Sequence, residues 1–309
     1  MKTRQTRSHR RRDVRSIIVS ILLLASVGAC GDGDAADEAT TTAPAADAEA
    51  ASGAIETTRE AGIDYTGTGS FNRMDVWSPT ASGDWPAVII IHGVADQSMS
   101  GFQPLAQAIA SEGAVVYNID VDSTIPWITA IQQVACAVRF AHAHGDDYGG
   151  GPSEVVLLGN STGAAVASVV ALGEGEFSGP CAVSEGSAEV DAFIGYEGDY
   201  DYLRTADYFL ADHRYLEEED PELFEAMDPY AHVGQNTDLT VRLLHGQDED
   251  EMWYEIAPDV SEAFCTELEE AGYQVEMAVL EGADHKDLMD ASSAAFTAAV
   301  QTTLEVVES

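Results

Sequence analysis

Apolar positions along this chain follow two alternating patterns. Short runs rich in Val, Ile and Leu occupy residues 86–91, 114–120, 154–158, 190–195, 239–244 and 274–280, and each predicts a strand. Between them, residues 102–112, 126–144, 164–172, 260–270 and 291–307 read as helices. In the second of these Ile128, Ile131, Val134, Ala135 and Val138 stand at helical spacing, while Gly113 and Gly272 stop the first and the fourth. Residues 63–79 read as an irregular strand pair, and residues 196–236 break the alternation with an aromatic and acidic insertion. Strands alternating with helices of this length predict an α/β fold, a mostly parallel central sheet flanked by helices on both faces. In such a sheet the chemistry gathers beyond the carboxyl ends of the strands.

One of those strand ends carries a pattern of its own. Residues 154–158 run into Gly159-Asn160-Ser161-Thr162-Gly163, and a run of small residues suited to a buried helix follows. Strand, sharp turn and helix in that order present a serine hydroxyl on a strained backbone, and the flanking glycines let strand and helix approach closely. Ser161 is therefore the candidate nucleophile. A serine at its free pKa is a poor nucleophile, so it needs a base within reach and an acid to orient that base. After the last strand comes Glu281-Gly282-Ala283-Asp284-His285, and His285 is the candidate base. His92 and His245 end strands ahead of other motifs, His142 and His144 lie at a helix end, and His213 and His232 fall in the insertion.

With His92-Gly93 after the first long strand, the serine turn, Asp228-Pro229-Tyr230, His245-Gly246 and Gly282 to His285, the chain resembles the α/β-hydrolase superfamily from about Met74 onward. Within it the resemblance is to bacterial carboxylesterase and lipase-like serine hydrolases. Val94 and Ala95 stand where those enzymes often carry further glycines, which is also similar to the dienelactone-hydrolase and cutinase-like polyesterase branches. The resemblance implies a triad acid after His245-Gly246. Asp250 takes first place, because apolar Met252 follows two positions later; Asp248 and Glu249 stand behind it, with Glu197 and Asp199 as outside alternatives. It also implies two oxyanion donors, the backbone N–H groups of Val94 and Thr162, and no metal or organic cofactor.

Charge narrows the partners. The formal net charge is −40, and of 14 Lys and Arg seven precede Cys30, against only Asp13 among 54 Asp and Glu. The remainder thus carries 7 basic against 53 acidic residues, which excludes nucleic acid as a natural partner and reads as a strongly solvated surface. The basic leader, the apolar run of residues 17–27 and Val27-Gly28-Ala29-Cys30 together resemble a bacterial lipoprotein signal, with residues 1–29 removed and Cys30 lipidated. Residues 30–60, poor in apolar side chains, are expected to form a disordered acidic tether, and residues 61–309 the catalytic domain. Export permits one disulfide among Cys136, Cys181 and Cys265, in any of three pairings.

The tyrosine-rich insertion reads equally as a lid or pocket wall and as a surface excursion packed on the sheet edge, with Trp127 and Trp253 as candidates for a pocket rim. Asp199 with Asp201, or residues 217–220, could hold calcium, but no loop motif accompanies them. The expectation is an exported, lipid-anchored serine hydrolase acting on small or polymeric esters. The competing expectation is a surface binding protein that keeps the fold without turnover.

Overall fold

The computed structural model describes residues 26–28, 54–69, 72–93, 98–122, 127–173, 177–183, 186–201, 218–247, 256 and 258–308. The described strands form one sheet: β1 (Ser26–Gly28), β2 (Thr57–Ile63), β3 (Met74–Pro79), β4 (Trp85–Ile91), β5 (Val115–Ile119), β6 (Gly150–Asn160), β7 (Ala192–Tyr196), β8 (Thr240–Gly246) and β9 (Gln274–Leu280). Their order is β1-β9-β8-β7-β6-β4-β5-β3-β2. From β5 through β4, β6, β7 and β8 to β9 every neighbour is parallel, while β3, β2 and β1 pair antiparallel at the two edges.

The central strands are apolar at successive positions because both of their faces are covered. On β4, Ala87, Ile89 and Ile91 enter one core while Val88 and Ile90 enter the other. The first core also takes α2 (Ile128–His144), α3 (Thr162–Leu172) and α5 (Pro258–Glu270). The second takes α1 (Gln103–Ser111) and α6 (Ala294–Val307). A short helix α4 (Pro221–Met227) begins on Asp220, whose carboxylate accepts from the Leu223 N–H. Every residue of α3 is buried, so its Ala and Val content serves close packing rather than an amphipathic surface.

Two differences from the sequence reading stand at the edges. The last four residues assigned to the tether, 57–60, already belong to β2, which runs Thr57–Ile63. Its alternation is invisible because five of its seven residues are exposed; what holds it is pairing with β3 and the Arg59–Asp75 ion pair at 2.5 Å, in which Asp75 is buried. At the other edge Ser26–Gly28, inside the apolar leader, pairs with Met277–Val279 of β9. Among the cysteines, Cys136 on α2 and Cys181 form a disulfide across 45 residues, and Cys265, buried in α5, is disulfide-bonded as well.

Candidate active site

The register of the parallel strands assembles the site. Asn160 at the end of β6 pairs with Tyr196 at the end of β7, so the next residues, Ser161 and Glu197, leave the sheet side by side. Both have positive φ, 58° at Ser161 and 44° at Glu197, and they are the only non-glycine residues with positive φ among those described. Such conformations cost on the order of 1–3 kcal/mol each and persist where surrounding structure enforces them.

At Ser161 the enforcement is steric. A Cβ on Gly159 would stand 2.5 Å from the Ala164 Cα, and one on Gly163 would stand 2.3 Å from the His92 carbonyl oxygen. Only glycine lets α3 fold back against β6 and against the end of β4. Ser161 occupies the N-cap position of α3, yet its side chain makes no capping hydrogen bond, which leaves the hydroxyl for other work. Thr162 heads the helix, with its N–H at the positive end of the helix dipole.

At Glu197 the enforcement is by hydrogen bonds. Its backbone N–H donates to the Leu244 carbonyl at 2.9 Å, and its carboxylate Oε1 accepts from the Gly246 N–H at 2.8 Å. The other oxygen, Oε2, meets His285 Nδ1 at 2.5 Å, with the Glu197 side chain 1% and the His285 side chain 24% exposed. A buried carboxylate is thus satisfied at both oxygens, while the histidine stays partly exposed. Gly246 is obligatory here, because a Cβ would fall 2.5 Å from Glu197 Oε1 and 2.4 Å from the Ala283 carbonyl.

Tyr196 ties these parts together. Its carbonyl accepts from the Ser161 N–H at 2.9 Å and from the Asn160 side-chain amide at 3.3 Å, and its hydroxyl donates to the Asp284 carbonyl at 2.7 Å. Burial first, and the Glu197 carboxylate next, push the Tyr196 hydroxyl well above the usual phenol range, so it stays protonated and a donor. One dipeptide, Tyr196-Glu197, therefore fixes both the serine turn and the histidine loop. That loop turns at Gly282, φ 74°, and is braced by Asp284 N–H to Asp287 Oδ2 at 3.0 Å and Lys286 N–H to Asp284 Oδ1 at 2.8 Å.

The carboxylate on His285 Nδ1 is Glu197, after β7, which the sequence reading held only as an outside alternative; Asp250, Asp248 and Glu249 lie outside the described residues. Nothing local to Glu197 marks it: the signal is its place one residue past the pairing partner of Asn160. Val94 and Trp253 also lie outside the described residues, as does Cys30. The turn that leads to Val94 is anchored by His92, buried, whose Nδ1 faces the Gly93 carbonyl at 2.6 Å and whose Nε2 faces Asp120 Oδ1 at 2.8 Å. Trp127 is buried in the core under α2 rather than on a rim, and Tyr196 and Tyr200 of the insertion are likewise core residues. A groove of about 980 Å³ between Ile55, Thr57, Pro104, Ala108 and Phe296 contains none of Ser161, Glu197 or His285.

Ser161 on the strained turn, His285 oriented by a buried carboxylate, and Thr162 at a helix start are the kinds of group that acyl transfer requires. Known proteins agree with that architecture. The BD-FAE family model matches residues 74–264. A probable isoprenylcysteine alpha-carbonyl methylesterase, ICMEL1 of Arabidopsis thaliana, is 25% identical over 244 residues, covering 70% of this chain and 49% of its own length. Esterase LipQ of Mycobacterium tuberculosis is 26% identical over 228 residues, covering 68% of this chain and 52% of its own. The chain thus spans about half the length of the curated relatives it matches. Among solved structures, the butyrate-bound esterase Est2 of Thermogutta terrifontis superposes with a TM-score of 0.65 at 19% identity, over 83% of this chain and 94% of that one. A truncated carbohydrate esterase from gut microbiota superposes at 0.64 and 18% identity, over 84% and 99%. These structural likenesses establish the α/β-hydrolase fold.

Proposed function

Because the chain belongs to the BD-FAE family of α/β-hydrolase esterases, we propose that it is a serine hydrolase of carboxylic esters working through Ser161, His285 and Glu197. The observation that carries this reading is the Tyr196-Glu197 pair, which holds the serine turn by one backbone hydrogen bond and the histidine by one carboxylate. In the reaction, Ser161 Oγ adds to the ester carbonyl while its proton passes to His285 Nε2. Glu197 keeps the Nδ1 proton in place and offsets the imidazolium charge. The carbonyl oxygen, now negative, takes hydrogen bonds from the N–H groups of Thr162 and Val94. Collapse expels the alcohol, which takes the proton from His285, and water then repeats the cycle on the acyl-enzyme to release the acid.

The test is hydrolysis of a chain-length series of p-nitrophenyl esters by the purified chain, with Ser161→Ala beside it. Activity lost in the variant supports the reading; equal activity in both would overturn it. A non-catalytic binding protein on this fold predicts no turnover and no labelling of Ser161 by a fluorophosphonate.

We further propose that the protein is exported and anchored through a lipid on Cys30. The Cys136–Cys181 disulfide supports an oxidising compartment. The lipid has a chemical competitor: the chain has four cysteines, and within one chain a thioether on Cys30 and a disulfide at Cys265 exclude each other. The mass of the mature protein under non-reducing conditions distinguishes a diacylglycerol adduct from a second cystine.

A further inference from the structure

The segment that joins β4 to α1 is gripped at both ends by one strand. β5 pairs with β4 so that Ile119 stands beside Ile91, which brings the next residues, Asp120 and His92, together. There His92 Nε2 meets Asp120 Oδ1 at 2.8 Å and lies 3.3 Å from the Val121 nitrogen, while Nδ1 faces the Gly93 carbonyl. At the other end Asn118 Nδ2 donates to the Met99 carbonyl at 2.8 Å, where the chain enters the helical turn Met99–Phe102. Val116 enters the second core, and Asn118 and Asp120 follow it at two-residue intervals on the same face, so the two gripping residues stand about 7 Å apart along β5.

Both grips are themselves anchored. The Asp120 N–H donates to the Arg73 carbonyl at 2.7 Å, and the Asp120 carbonyl accepts from the hydroxyl of the buried Tyr65 at 3.0 Å. Asn118 lies fully buried, yet its Oδ1 has no hydrogen-bond partner among the described residues. An unmet buried acceptor is destabilising, so packing alone favours an apolar side chain of the same size at this place. What Asn118 supplies is a donor to one backbone carbonyl. Two residues past that carbonyl, a Cβ on Gly101 would fall 2.7 Å from the sulfur of Met289, four residues after His285. The His92 carbonyl in turn lies against Gly163, in the first turn of the helix that Thr162 heads. The gripped segment is thus seated against both the histidine loop and the serine turn.

We propose that Asn118 and Asp120 are positioning residues for the oxyanion turn, holding the backbone that follows Gly93 from its two ends. The proposal rests on the serine-hydrolase reading of the site. Neither side chain meets the ester; Asn118 acts directly on the backbone it holds, and Asp120 acts through His92. Stabilisation of an oxyanion depends steeply on donor placement, because the donor has to stand in position before the charge develops. A loosened turn weakens the transition state more than the bound ester, so the loss falls on kcat.

The experiment measures kcat and KM for p-nitrophenyl acetate and for its thiono analogue, in which sulfur replaces the carbonyl oxygen. It compares the purified chain with Asn118→Leu, Asp120→Ala and Asp120→Asn, and Ser161→Ala defines the enzymatic signal. Sulfur accepts hydrogen bonds weakly, so a well-placed pair of donors favours the oxygen ester, and this preference reports the donors rather than the general health of the fold. Expected in Asn118→Leu and in Asp120→Ala is a kcat on the oxygen ester lower by about tenfold to a hundredfold, with KM within about threefold and the preference for oxygen reduced by about the same factor as kcat. Asn118→Leu, which also removes an unmet acceptor, melts within about 3 °C of the parent, so it decides the matter even if Asp120→Ala does not fold. Asp120→Asn keeps an acceptor for His92 and recovers kcat to within about threefold. A parental kcat in Asn118→Leu, a loss that leaves the preference for oxygen intact, or a loss carried by KM overturns the proposal while leaving the serine-hydrolase reading standing. Activity that survives Ser161→Ala overturns both.

Discussion

Replacing Glu197 by Gln is the most informative single perturbation, because shape is kept and only charge and one acceptor change. The glutamate accepts at both oxygens, from the Gly246 N–H at 2.8 Å and at His285 Nδ1, 2.5 Å away, in a site where its side chain is 1% exposed. A glutamine has one oxygen to offer. If that oxygen stays on Gly246, the NH₂ faces His285 Nδ1 and selects the tautomer that carries its proton on Nε2, where the serine proton has to go. If the amide turns round, the Gly246 N–H is buried without an acceptor, at a cost of about 1–3 kcal/mol. Loss of a charge-assisted hydrogen bond of about 1.5–3 kcal/mol alone slows the reaction roughly tenfold to a hundredfold. The tautomer trap takes the loss toward the order of 10⁴. The assay is kcat/KM on a p-nitrophenyl ester, with thermal melting to show that the variant is folded and Asp250→Asn measured alongside. A folded Glu197→Gln enzyme within tenfold of wild type, or a larger loss in Asp250→Asn, would refute the assignment of Glu197.

Further expectations follow from the same geometry. Gly246→Ala forces a methyl to 2.5 Å from Glu197 Oε1 and 2.4 Å from the Ala283 carbonyl, so it should cut kcat by a hundredfold or more while the far edge of the sheet keeps its protection in hydrogen exchange. Loss of the Cys136–Cys181 bridge, which closes 45 residues, in a Cys136→Ser, Cys181→Ser double variant should cost about 4 kcal/mol and lower the melting temperature by roughly 8–15 °C, read by calorimetry beside the parent chain without reductant. Asp199, whose folded pKa is raised to about 7, contributes stability that is present below its unfolded value and lost as pH rises through 7. Asp199→Asn should therefore melt higher than wild type at pH 8, and this difference should shrink toward pH 4; a lower melting temperature at pH 8 would contradict it.

How far the site could be read from the chain depended on how local its signals are. Ser161 announces itself within five residues, because the strained turn needs glycine at 159 and 163 and the sequence shows both. His285 follows from its place after the last strand and before the last helix. The acid left no such mark. The resemblance implies an acid after His245-Gly246, and Met252 favours Asp250 there, whereas the carboxylate on His285 Nδ1 is placed by pairing of Asn160 with Tyr196 across two strands, a relation between segments 36 residues apart. The central strands were legible because burial on both faces leaves them uniformly apolar. Strand β2 was not, since an edge strand with five exposed residues has the composition of a tether.

Strands β6 and β7 end level, with Asn160 opposite Tyr196, whereas β8 runs two residues past Leu244, the partner of Tyr196, to Gly246. Glu197 already reaches across to the Gly246 N–H, so the carboxylate hung from β7 occupies space that the tip of β8 also borders. The two extra residues of β8 thus carry a backbone donor past the end of β7 to the carboxylate that leaves it. The stagger of the strand ends, rather than any local sequence signal, decides where the carboxylate on His285 Nδ1 is held.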